Sequence, residues 1–221
     1  YTLHTKLVLM TTLALIIGGA LFFFFTEQSN VLRNMPFAER IWASFFQSVT
    51  ARTAGFNTVD TGALKEGSKF VTILLMFVGG SPGSTAGGIK TTTLIVLLVC
   101  VRSNMRQEKG YNILDRRLDE EVVRKACTVM CTNLLLMLTA TIVMLVLQPF
   151  ALTDVLFETA SAIGTVGMTT GVTRSICSVS KVILIFLMYC GRIGSLTFAL
   201  SLRGNKHEPA VKQPVEQVMI G

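Results

Sequence analysis

The sequence predicts an all-α polytopic membrane protein made of two span–re-entrant helix–span repeats, and three observations carry that expectation. Leu7–Phe25 and Ala126–Leu147 contain no charged residue. As a helix, each is long enough to cross about 30 Å of hydrocarbon. Only 15% of residues are charged against 51% hydrophobic, with a mean hydropathy of +0.59; a soluble domain carries about 25% charge. Lastly, Thr53-Ala54-Gly55-Phe56-Asn57 and Thr165-Val166-Gly167-Met168-Thr169 share a Thr-small-Gly-apolar pattern and lie 112 residues apart. The same offset superposes Phe45 on Phe157, Lys69 on Lys181 and Gly79 on Gly191. A shared offset at five places marks a tandem duplication.

In chain order, residues 1–104 form the first repeat. Leu7–Phe25 spans, and Thr26–Arg33 is a polar stretch on the outer side. Pro36 suits a first helical turn, and Pro36–Thr50 is apolar but too short to span, so it dips in and returns. Residues 51–57 are its extended limb. Val59–Ser68 climbs out through the turn formers Asp60 and Gly62, and Phe70–Val101 descends with an interruption. Residues 105–125 connect the repeats. In the second repeat, 126–203, Ala126–Leu147 rises and Pro149 ends it. Leu152–Ile163 is the short helix, with Thr153 and Asp154 as expected N-terminal caps. Gly164–Met168 is the limb, and Val182–Leu202 descends with one internal charge, Arg192. Residues 204–221 form a tail.

Charge placement sets the orientation. The connector cluster, Lys6 and the tail place eleven Lys/Arg on one side, against six on the other. The positive-inside rule makes the richer side cytoplasmic, with both termini there. The three remaining cations, Arg52, Lys90 and Arg192, fall at membrane depth.

Irregular backbone at membrane depth is tolerated only where protein or a water-filled cavity surrounds it. Two such limbs at matching positions predict a shared aqueous path. A Thr-Val-Gly-type run aligns carbonyls that replace an ion's hydration shell, so the repeats read as potassium-channel-like. The candidate filter residues are Thr53, Ala54, Gly55, Phe56, Thr165, Val166, Gly167 and Met168. The carbonyl end of each short helix points inward, and its negative dipole end favours a cation.

Gly79, Gly80, Ser81, Pro82, Gly83, Ser84, Thr85, Ala86, Gly87 and Gly88 interrupt what would otherwise be one long helix. Glycine and proline break helical hydrogen bonding there. The reading is a mobile gate below the filter, with a static packing kink as the alternative; repeat two keeps its helix-forming residues from Gly191 onward. Arg192 is expected either to repel cations inside the filter or to tie carbonyls freed by the broken helix. Arg52 is expected to cap its short helix or to pair with Glu158. Lys90 pairs or snorkels, with no role assigned.

Several other classes drop out. The basic cluster is interleaved with acids between two spans, which argues against nucleic acid as a partner. Five cysteines build no disulfide framework, and Cys127 and Cys131 read as small interior residues. Gly79–Gly83 matches a Gly-x-Ser-x-Gly nucleophile pattern, but the two histidines, His4 and His207, stand near the chain ends. A serine without a nearby base is inert, so the chain does not read as an enzyme. The near P-loop from Gly83 to Thr91 is broken by Ile89.

The segment Thr50–Thr58, the run Gly79–Thr92 and Thr165-Val166-Gly167-Met168-Thr169-Thr170-Gly171 together resemble the Trk/Ktr/HKT family of potassium transporters. The connector around Asp115-Arg116-Arg117 and the ending Pro214–Gly221 are most similar to the bacterial Ktr-type membrane subunit. The resemblance implies four such repeats around one pore in the cell membrane, passive or sodium-linked potassium uptake, and no bound cofactor beyond the transported ion. It also implies a homodimer of full-length subunits with cytosolic nucleotide-binding regulatory subunits. Gly55 and Gly167 then correspond to filter glycines, Gly79–Gly88 to the intramembrane gate and Arg192 to the arginine beneath the filter. Two repeats make half a pore, so either a missing N-terminal half or a second copy is expected to complete it. A non-conducting membrane scaffold is the competing reading.

Overall fold

The computed structural model describes residues 2–107, 110–113, 116–194 and 197. Its described residues form seven α-helices in the expected order. In the first repeat these are α1 (Leu3–Glu27), α2 (Phe37–Thr50), α3 (Glu66–Phe77) and α4 (Thr91–Met105). A two-stranded antiparallel hairpin, β1 (Tyr111–Ile113) with β2 (Arg116–Leu118), pairs Asn112 with Arg117. The second repeat is α5 (Glu120–Leu147), α6 (Leu152–Ile163), a 3-10 turn at Val172–Arg174 and α7 (Ser178–Ile193). Helices α1 and α5 are each long and apolar enough to cross a membrane alone.

Short helix α6 is the centre of the molecule. It packs on α3, α5 and α7, and Val155, Phe157, Ala160 and Ile163 are fully buried. In lipid, helices associate through close packing and polar contacts rather than through the hydrophobic effect. The interfaces show this directly. Thr141 and Thr159 share a hydroxyl hydrogen bond of 2.8 Å between α5 and α6. Thr26 and Ser68 share one of 3.0 Å between α1 and α3. Ser48 of α2 donates to the Ile16 carbonyl of α1 at 2.8 Å, and a Cβ on Gly19 would strike the Ser48 hydroxyl.

Helix α2 is accordingly inverted. Ser44, Gln47 and Ser48 are buried against α1, while Phe37, Ile41, Trp42 and Phe45 face outward. Phe45 is 42% exposed, whereas Phe157, its counterpart 112 residues on, is 0% exposed. The difference follows from neighbours: α6 has α3 of the other repeat against it, and α2 does not.

Four expectations are corrected. Ala151, not Thr153 or Asp154, is the N-cap of α6, and no side chain caps it; Asp154 instead pairs with Lys69 of α3 at 3.1 Å. The last helix does not run on as Val182–Leu202: α7 ends at Ile193, where Gly194 takes φ +95°. The rest of that stretch except Thr197, and the tail 204–221, lie outside the described residues. The end of the connector is already helical, since α5 begins at Glu120, with Asp119 accepting from the Glu121 N–H. Cys127 and Cys131 are exposed on α5 rather than interior. Arg52 does not reach Glu158, as described below.

Candidate functional site

Each short helix leads straight into its limb, and the hand-over follows from the carbonyls that a helix end leaves open. At the end of α6, the N–H groups of Gly164, Thr165 and Val166 donate back to Ala160, Ala162 and Ser161. The fourth carbonyl, Ile163, takes the Gly88 N–H at 3.2 Å. At the end of α2, Ala54 and Gly55 both donate to the Thr50 carbonyl. The limbs are thus tightly wound continuations rather than free loops.

The two limbs repeat one unusual backbone. Thr53 (φ +75°) and Gly55 (φ +76°) are left-handed with Ala54 between them; Thr165 (φ +52°) and Gly167 (φ +93°) are left-handed with Val166 between them. A β-branched residue at positive φ is a genuine outlier. Among the described residues just three non-glycine residues adopt it, and two are Thr53 and Thr165. Alternating left-handed and ordinary dihedrals turn successive carbonyls to one side, the arrangement that a carbonyl-lined ion site needs. Side chains go the other way in the second limb: Val166 and Met168 are buried, and Gly167 is exposed.

The limbs touch. A Cβ on Gly55 would collide with the Val166 carbonyl oxygen, and Thr53 Oγ1 donates to the Gly164 carbonyl at 3.4 Å. At Phe56 the carbonyl accepts from Thr50 Oγ1 at 2.6 Å, and the ring is exposed. Outside the limbs, the turn Asp60–Gly62 braces limb two: Thr61 Oγ1 donates to the Thr169 carbonyl.

Two residues hold the limbs in place, in roles that sequence reasoning did not assign them. Glu158 of α6, buried, accepts from the hydroxyls of Thr169 and Thr173 and from the Thr170 N–H. Its counterpart by offset is Phe46, so no duplication signal marked it. Thr50 does the equivalent work for limb one, taking the Phe56 N–H at 2.9 Å as well. A cavity of about 560 Å³ runs along limb two, lined by Glu158, Thr165, Gly167, Thr169, Met188 and Arg192 among others.

The break between α3 and α4 spans 78–90. Its two ends meet as a short parallel bridge, Val78 to Ile89. Its second half is docked on limb two, where Gly87 N–H donates to Thr165 Oγ1 at 3.0 Å. Gly87 also lies so close to Thr165 and Ile163 that a Cβ would strike both. Gly83 (φ +84°) projects with nothing near it.

Three cations reach this loop through its carbonyls. Arg192, in the last turn of α7, donates to Thr85 at 2.6 Å. Lys90 donates to Ser84 and Ala86. Arg52 reaches Gly79 at 3.5 Å, and its buried Nε has no partner among the described residues. The expected Arg52–Glu158 pair is replaced because Glu158 is already filled by limb two.

A duplicated span–short helix–limb–span unit, with a shared left-handed backbone at both limbs, defines a helical membrane protein of the re-entrant pore class. Comparison with known proteins agrees. A family model described as TrkH, cation transport protein, matches residues 2–209. The chain belongs to this family, which transports cations and does not consist of enzymes. Over its whole length it is 39% identical to Ktr system potassium uptake protein B of Bacillus subtilis (strain 168), covering 50% of that protein. It is 37% identical to potassium/sodium uptake protein NtpJ of Enterococcus hirae, again covering 50%. The crystal structure of the potassium transporter TrkH from Vibrio parahaemolyticus matches 89% of this chain and 43% of that one, with a TM-score of 0.69 and 18% identity. That likeness concerns the fold alone. The chain spans about half the length of the curated relatives it matches.

Proposed function

We propose that this chain supplies half of a potassium-selective uptake pathway across the cell membrane. Main-chain oxygens of Thr53–Phe56 and Thr165–Met168 coordinate the dehydrated ion, with Phe56 contributing least because Thr50 already holds its carbonyl. The loop Gly79–Gly88 occludes the path below them, and Arg192 both ties that loop and repels cations until it moves. The observation that carries the reading is the left-handed pair recurring at Thr53/Gly55 and Thr165/Gly167. Relatives named for potassium uptake and for potassium/sodium uptake support the ion class; sodium enters this reading as a coupling ion.

The other half of the ring comes from further repeats, either in the same polypeptide or in a second copy. The open face of α2 supports this, since α6 shows what normally covers such a face. In the complete assembly, full-length subunits pair as a homodimer. A cytosolic nucleotide-binding subunit acts on the inner side, where both termini and the hairpin lie. Growth of an uptake-deficient bacterium on limiting potassium tests the reading, with the chain alone and with the complementary half. Rescue is expected only with both halves; failure of both arms would sink the proposal.

A further inference from the structure

Lys90 is the one cation on the gate loop for which the preceding reading has no use. It stands at the N-cap of α4. Its Nζ donates to the Ser84 carbonyl at 3.3 Å and to the Ala86 carbonyl. The carbonyl between them, Thr85, takes Arg192 instead. Lys90 stands at the start of α4 and Arg192 at the end of α7, so 84–86 is gripped from two elements. The grips differ in origin. Both Lys90 contacts are local, four and six residues back along the chain, whereas Arg192 reaches over from the second repeat. Among the described residues, neither cation has a carboxylate partner.

An ammonium group is a compact monovalent point charge, and backbone carbonyls can replace the hydration shell of such a cation. The Ser84 and Ala86 oxygens therefore form a small cation site, occupied by a group that the chain itself carries. A carbonyl freed at this depth must find another partner. We propose that the Lys90 ammonium is a tethered stand-in for the permeating ion: it fills a monovalent-cation site at Ser84 and Ala86 and thereby holds the loop across the path. When the ammonium withdraws, the same two oxygens are offered to the passing ion, so opening and ion transfer share one site. This rests on the gate reading of Gly79–Gly88.

Rubidium flux through the complete assembly in liposomes tests it, using K90A, K90M and a deletion of Gly80–Gly87. The deletion raises flux if the loop is a gate at all. K90A and K90M are each expected to raise flux roughly tenfold, the population shift that loss of a charged hydrogen bond permits. n-Propylammonium, which replaces the atoms removed in K90A, should return that variant toward the wild-type rate. It should leave K90M, the deletion and the wild type unchanged, because only K90A has a vacant cradle. A side chain that merely shaped the loop would give no such rescue. Wild-type flux in both Lys90 variants beside a fast deletion variant would overturn the proposal and spare the gate. Insensitivity of a fast K90A to propylammonium would overturn it as well, as would failure of both variants to assemble. A deletion without effect would remove the gate reading and this proposal together.

Discussion

Gly55 and Gly167 occupy the same corner of backbone space under different constraints. Gly55 is held at φ +76° with the Val166 carbonyl pressed where a Cβ would sit, so an added methyl must displace the backbone of the other limb. Gly167 has φ +93° but open space around it. There alanine pays only the left-handed strain, about 1–2 kcal/mol. Gly55→Ala is therefore expected to abolish potassium uptake, and Gly167→Ala to reduce it and weaken discrimination against sodium. Rubidium uptake with sodium competition measures both; equal, wild-type behaviour would contradict the assignment. Glu158 gives a second prediction at this scale. Glu158→Ala leaves two threonine hydroxyls and one N–H of limb two without their acceptor. Hydrogen bonds to a charged group contribute about 1.5–3 kcal/mol each, with losses that do not simply add. Thermal unfolding in detergent should show a clearly lowered Tm, with Glu158→Gln between it and the wild type. An unchanged Tm in both would show that the carboxylate does not brace the limb.

Between α3 and α4, the loop is tied both to limb two and to α7, and this decides what perturbing it does. Gly87 and Gly88 anchor it to Thr165 and Ile163, while Thr85 hangs from Arg192. Arg192→Ala cuts the tie to α7 and leaves the filter-side anchors in place. Flux through the complete assembly is expected to rise about tenfold, the scale set by one charged hydrogen bond. Unchanged or lower flux would count against the barrier. The limits of the short helix Leu152–Ile163 match the expectation, and the glycine run falls inside the break, but α3 begins four residues before the expected Phe70 and α4 ends four residues after Val101. The outer turn was legible too, since Asp60 Oδ1 accepts from the Gly62 N–H at 2.9 Å, as an Asx turn should. What stayed hidden depended on partners distant in sequence. Asp154 looked like a cap until Lys69, 85 residues away, claimed it. Gly194 ends α7 inside an apolar run whose composition alone gave no stop. Cys127 and Cys131 read as interior because hydropathy cannot separate a lipid-facing position from a core one.

The two repeats differ most in their short helices. Helix α6 is buried at Val155 and throughout Phe157–Ile163, whereas α2 presents Phe37, Ile41, Trp42 and Phe45 outward. Such a face is tolerable against lipid and better satisfied by a helix equivalent to α3. Reporter fusions at residues 1 and 221, and within the outer turn at Asp60–Gly62, test the orientation. The ends should report the cytoplasm and the turn the opposite side; a turn reporting the cytoplasm would invert the pathway. The proposed pathway depends on one arrangement, in which main-chain oxygen of both limbs faces the path. Crystals of the complete assembly soaked in rubidium give the most direct measurement of it. Anomalous peaks are predicted between the carbonyls of Thr53–Gly55 and Thr165–Gly167. Rubidium bound only elsewhere, with both glycine limbs unoccupied, would contradict the account.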